Sequence, residues 1–249
     1  MSLDNTCTNL TTYFCEYTLL PENQTRDICI TFFGAMTDDD DKRQLGKVKL
    51  IGRWACVGEA KGFCIAEASD HYSLQKWLNI WVTMADIKVL PCLDDNQQRL
   101  LLLGKPPDYL TSYDLVNSPA KEGESLYFIK YTFKENCSEQ GFKLFAEMTE
   151  EQDKNDSGLC TSYGRWHVPS LGCGFAVASS PSGFDLYKWA HNWHSLCNVE
   201  ISPVTKDNET REIIKQGVGF SFKNQALKDQ IDELQQSSIA VDKENENND

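Results

Sequence analysis

Arginine stands directly before tryptophan twice, in Gly52-Arg53-Trp54 and in Gly164-Arg165-Trp166. A guanidinium beside an indole inside an apolar stretch could hold an anion. On that reading Arg53, Trp54, Arg165, Trp166 and the adjoining His167 are the residues nearest a ligand. Each arginine could equally pair with a carboxylate, or lay its stem along an edge strand with its head in water. Three of the four histidines, His167, His191 and His194, fall in the second half of the chain. His191 and His194 are three apart, so on a helix two imidazoles could share a metal ion, with His167 as a third nitrogen ligand. The neighbouring indoles mark that helix's buried face, and both histidines lie off its centre, so surface positions fit them better and no metal site is assigned. The run Asp38 to Asp41 lacks the glycine and ligand spacing of a calcium loop and reads as a solvated acidic loop. With no phosphate-binding glycine loop and no nucleophile elbow, no catalytic residue is assigned.

Ten cysteines invite a disulfide or metal scaffold, but no C-x-x-C pair occurs. Free thiols that serve as small buried hydrophobes, in a reducing compartment, are the expectation. A net charge of −13 with no basic stripe argues against nucleic acid and anionic membranes. No apolar run reaches membrane-spanning length and no secretory signal opens the chain, so an intracellular, cytoplasmic protein is expected.

What positions these residues is an internal duplication. Trp54, Trp77 and Trp81 recur 112 positions on as Trp166, Trp189 and Trp193, and these are all six tryptophans. At the same offset Gly62-Phe63 meets Gly174-Phe175, Pro91 meets Pro203, Asp95-Asn96 meets Asp207-Asn208 and Arg99 meets Arg211. Upstream, Phe33, Met36, Thr37, Asp41 and Lys42 meet Phe145, Met148, Thr149, Asp153 and Lys154; with a two-residue slip, Tyr13 and Tyr17 meet Tyr127 and Tyr131. None of the cysteines has a cysteine counterpart; Cys56 faces Val168 and Cys64 faces Ala176. Self-similarity at a fixed period sets the architecture before any chemistry is argued.

Each copy reads as the same order of elements. Tyr13 to Leu20 alternates as a half-buried strand, and Asn23 to Met36 suits a helix. Lys47 to Val57 and Gly62 to Ala68 make a hairpin. Ser73 to Met84 carries Leu74, Trp77, Leu78 and Trp81 at helical spacing, and Ile87, Val89 and Pro91 alternate as a last strand. The order is βαββαβ, the ferredoxin-like unit. Cys64, Ala66 and Ala68 share the face that accommodates the indoles, while Phe63 and Ile65 point the other way and need a partner. The sister copy is the nearest one, so the two sheets are expected to pack face to face as an intrachain pseudo-dimer. A four-residue hairpin turn would put Trp54 on the Phe63 face and Arg53 toward the helices; a one-residue slip would exchange them. The expected divisions are an N-terminal arm (1–12), repeat 1 (13–103), a linker (104–124), repeat 2 (125–217), and a C-terminal helix with an acidic tail (218–249).

The pattern G-R-W, G-F-x-[IV]-A, L-x-K-W-x-x-x-W and [IV]-x-P resembles a small uncharacterised domain family of the ferredoxin-like, dimeric α/β-barrel type. The resemblance implies an α+β fold and no specific activity, and leaves any cofactor unknown. The wider group of such barrels includes monooxygenases, haem-handling enzymes, cyclases and ligand sensors. Since no duplicated or clustered polar constellation stands out, the first expectation is a non-catalytic binding or self-assembly protein that contacts further copies or a protein partner. The alternative is a small-molecule enzyme or haem- or metal-binding protein, monooxygenase-like, with its ligand in the cleft between the two sheets.

Overall fold

The computed structural model describes residues 10–21, 23–111, 116 and 118–216. The first copy runs β1 (Thr11–Leu19), α1 (Asn23–Ala35), α2 (Asp38–Leu45), β2 (Lys49–Cys56), β3 (Lys61–Ala68), α3 (His71–Leu78), β4 (Ala85–Asp94) and α4 (Asp95–Leu103). The second repeats it as β5 (Ser125–Phe133), α5 (Ser138–Glu147), α6 (Glu150–Ser157), β6 (Thr161–Val168), β7 (Cys173–Ser180), α7 (Gly183–Trp193), β8 (Cys197–Lys206) and α8 (Asp207–Lys215). The βαββαβ order is present twice, with two helices per copy added. The acidic run is not a solvated loop: it forms α2, because Thr37 and Asp40 make a reciprocal capping box, and Thr149 and Gln152 do the same for α6. Four aspartates in the first turn of α2 also suit the positive end of its dipole. The last strand passes through Pro91 to Asp94, where that residue caps α4. Proline is tolerated there because β4 has only β1 beside it until Leu93 reaches β6.

Within each copy the strands lie in the order β4-β1-β3-β2 and β8-β5-β7-β6. The two sheets face each other as expected, and their edges also join. Trp54 pairs with Lys206 on one seam and Asp94 with Trp166 on the other, closing eight strands into one barrel. At each seam one strand, β4 or β8, leads into a helix lying on the opposite copy, α4 against α5 and β6, α8 against α1 and β2.

The barrel interior is dry and aromatic. Phe14 stacks on Phe175 at 3.6 Å between ring centroids and Phe63 on Phe128 at 3.7 Å, two crossed pairs related by the duplication. Trp54 and Trp166 complete this core, together with Ile65, Val177 and Val116 of the linker. The linker segment is therefore part of the packing; the Pro119 carbonyl also accepts from the Tyr163 hydroxyl at 3.2 Å. On the outer face, Cys64, Ala66 and Ala68 lie under Leu74, Trp77 and Leu78, the small-against-large packing expected. Ala176 and Ala178 lie under Leu186 and Trp189 in the same way.

Register explains the Gly-Arg-Trp motif residue by residue. Trp54 pairs with Phe63 and Arg53 with Cys64, so the indole points into the barrel and the guanidinium out under the helices. A bulge between Leu50 and Gly52, repeated between Ser162 and Gly164, sets this phase. The glycine is needed because the Trp166 ring folds back over Gly164, where a Cβ would sit 2.8 Å from Cζ2. Across the hairpin, a Cβ on Gly174 would lie 2.6 Å from the Trp166 carbonyl oxygen and press into Tyr131. Gly174→Ala is therefore expected to destabilise the protein by about 1–3 kcal/mol, as overpacking does, measured by chemical denaturation.

Nine cysteines are described, all free, and eight of them are buried. No helix among the described residues is long and apolar enough to cross a membrane. The expected helix at 222–236, the charged tail and the first nine residues lie outside the described residues.

Candidate functional site

The arginines of the motif build two matching ionic clusters at the seams. Arg53 donates from Nε to Asp207 Oδ1 at 2.5 Å, and from Nη2 to Asp207 Oδ2 at 2.8 Å and to Asp41 Oδ2 at 2.9 Å. Arg211, one turn after Asp207, donates to the same Asp207 Oδ2 at 2.9 Å and to the Met36 carbonyl at 3.1 Å. In the second copy Arg165 takes Asp153 and Asp95 at 2.6 Å each, and Arg99 caps the Met148 carbonyl at 2.9 Å. Phe33 and Phe145 lie beneath these guanidinium groups. A polar constellation is therefore duplicated and clustered, contrary to the sequence reading. Each cluster ties one copy's β2 or β6 to the other copy's last helix.

Neither cluster offers a free cation to an anionic ligand. Burial alone would lower Arg53's affinity for its proton, but the hydrogen bonds and charges of Asp207 and Asp41 outweigh that and raise it. Burial works against the Asp95 carboxyl too, yet Arg165 and His167 hold it well below the usual carboxylate range. Asp41 goes the other way, raised mainly by burial, with one oxygen lacking a partner.

The five expected ligand residues do not share one cleft. Trp54 and Trp166 are in the barrel core, whereas Arg53, Arg165 and His167 are on the outer face beneath the helices. Among the described residues the space between the sheets holds the phenylalanine stack. His167 donates from Nε2 to Asp95 Oδ1 at 2.8 Å, and its Nδ1 shares a hydrogen bond with the Tyr131 hydroxyl at 2.5 Å. His191 and His194 stack on each other at 4.2 Å, both exposed and away from it. Among the described residues no group of three or more His, Cys, Asp or Glu side chains could hold a metal ion.

Open space lies instead between each sheet's outer face and its own helices, and there the copies differ. The first copy has a cavity of about 420 Å³, the second only about 80 Å³ at the same place. Three substitutions account for it. Leu19, Ile30 and Ala55 of the first copy stand where the second has Phe133, Phe142 and His167. In the second copy those rings pack against one another and against Tyr131 and Phe145. The larger cavity is floored by Cys15, Tyr17, Cys64 and Ile87, walled by Cys29, Phe33, Trp77 and Trp81, and closed by Ile213 and Ile214 of α8.

Its donor set does not fit haem iron or a metal ion. No histidine lines it. Burial pushes the Cys29 thiol up to about 12, and burial likewise raises the Tyr17 phenol. A hydrogen bond with Cys15, then burial, raises the Cys64 thiol. Groups so held resist giving up the proton that a thiolate or phenolate ligand must lose.

A family model described as "Domain of unknown function (DUF3303)" matches the chain twice, at residues 11–104 and 125–218. No curated protein matches it. Among solved structures, one provisionally named a chlorite dismutase superposes with a TM-score of 0.52 at 10% identity, covering 82% of this chain and 98% of its own. A single-residue variant of the chlorite dismutase from Candidatus Nitrospira defluvii gives 0.50 at 11% identity, over 82% and 94%. A protein from Lactobacillus acidophilus NCFM, provisionally named a monooxygenase, gives 0.44 at 8% identity, over 80% and 94%. At such identities the first two likenesses concern the fold alone.

Proposed function

The chain belongs to the DUF3303 family, a domain of unknown function present here in two copies, and we propose that it is a binding protein for a small, mostly apolar molecule. The first copy holds the ligand and the second is its structural counterpart. The observation that carries this reading is the contrast of about 420 and 80 Å³ at equivalent places. The larger value falls within the roughly 300–1,000 Å³ range of ligand pockets, and its walls are aromatic, aliphatic and thiol groups. The polar clusters are duplicated, and their guanidinium groups are paired within the chain, which accounts for the joining of the halves.

Filling the cavity as the second copy does tests the proposal. The triple variant Leu19→Phe, Ile30→Phe, Ala55→His is expected to lower uptake of the neutral fluorescent probe N-phenyl-1-naphthylamine by about tenfold or more, because apolar burial drives such binding. Its thermal midpoint should be unchanged or higher. Equal uptake by both proteins would refute the pocket.

A further inference from the structure

The two copies also differ in what their indoles donate to. In the second copy Trp189 and Trp193 both donate from Nε1 to one oxygen, Asp156 Oδ2, at 2.9 and 2.8 Å. Asp156 is on the last turn of α6, and the duplication puts Gln44 of α2 in its place. The corresponding indoles, Trp77 and Trp81, line the large cavity, and the Nε1–H of each is buried without an acceptor among the described residues. The Gln44 Oε1 is buried and unmatched as well. Leaving a buried donor unpaired costs about 1–3 kcal/mol, so two at one cavity wall call for an acceptor that the described residues do not supply.

Building on the pocket reading, we propose that the ligand is a neutral carbonyl compound with an apolar body, such as a ketone, aldehyde, ester or quinone. Its oxygen stands where Asp156 Oδ2 stands in the other copy. The indoles select an acceptor, and the charges around the cavity select a neutral one. Arg53 is occupied by Asp41 and Asp207, and Lys61 at the rim is paired with Glu59 at 2.8 Å. Tyr17 donates to the Trp54 carbonyl at 3.4 Å. A carboxylate would enter with no unpaired cation among the described lining residues, and beside two aspartates, a costly burial. Size agrees with a modest molecule: a cavity of roughly 150 Å³ takes up benzene, and this one is about two to three times larger.

Displacement of bound N-phenyl-1-naphthylamine from the full chain by undecan-2-one, undecane and undecanoate tests the assignment. The ketone is expected to compete about tenfold or more better than the alkane and the carboxylate, the worth of one to two recovered hydrogen bonds. Trp77→Phe with Trp81→Phe should erase the ketone's advantage and bring the ketone and the alkane to equal competition, whatever the reshaped wall does to both affinities. Trp81→Phe alone, at the less buried indole, gives a milder version of the same loss. Gln44→Ala should keep the preference, since the ligand and not the glutamine satisfies the indoles. Equal competition by ketone and alkane, or a preference for the carboxylate, overturns the carbonyl assignment and leaves the pocket standing. A preference lost in Gln44→Ala also overturns it. Failure of the probe itself to respond to the filled cavity overturns the pocket.

Discussion

Arg165→Met is expected to destabilise the protein by about 3–5 kcal/mol in chemical denaturation, the cost of stripping one partner from a buried ion pair. Methionine keeps the stem's packing, so the loss isolates the charge. What remains is Asp95, 0% exposed, together with Asp153, both of which lose their bidentate or paired guanidinium contacts. The pH dependence gives the effect a signature. In the native protein Asp95 titrates below its unfolded value, so its contribution is complete above about pH 4 and is lost as the pH falls through the folded pKa. In the variant, burial acts on Asp95 without Arg165, and protonation relieves the buried charge. The gap between the two proteins should thus be widest near neutrality and narrow in acid. Asp95→Asn on the Arg165→Met background should recover part of the loss. A gap that is flat with pH, or below about 1 kcal/mol, would mean that the cluster does not join the halves as described.

Phe128→Ala should cost a comparable amount, about 3–5 kcal/mol. The ring is 1% exposed, stacked on Phe63 at 3.7 Å, and within 5.9 Å of the rings of Phe14 and Phe175. Nothing nearby can collapse into the space, because the opposing rings are fixed by strands of both copies. Since the stack belongs to both halves equally, loss of one ring should lower a single cooperative transition. Two separate transitions, with only one of them shifted, would contradict the shared core.

The duplication made the barrel legible, since an apolar face such as that of Phe63 and Ile65 has to be covered and its twin is the nearest surface. It also displayed the ionic clusters without joining them. Asp41, Arg53, Asp95 and Arg99 all align with their counterparts, yet Arg53 finds Asp207, 154 positions away on the other copy. No spacing rule connects residues across a pseudo-dimer; only the crossing of α4 and α8 does. Helix α2 was hidden because eight charge-dense residues carry no apolar period, although Thr149 and Gln152 in its twin spell a capping box. The cavity was present in the alignment as Leu19 against Phe133, Ile30 against Phe142, Ala55 against His167 and Gln44 against Asp156. These differences acquire meaning only once the side chains are known to border the same space.

Ile213 and Ile214, which shut the first copy's chamber, grow from the second copy. Any guest is consequently gripped by both lobes at once and acts as mortar between them. Mass action then couples loading to cohesion: a filled chamber resists the parting of the lobes, and whatever loosens the seam releases the guest.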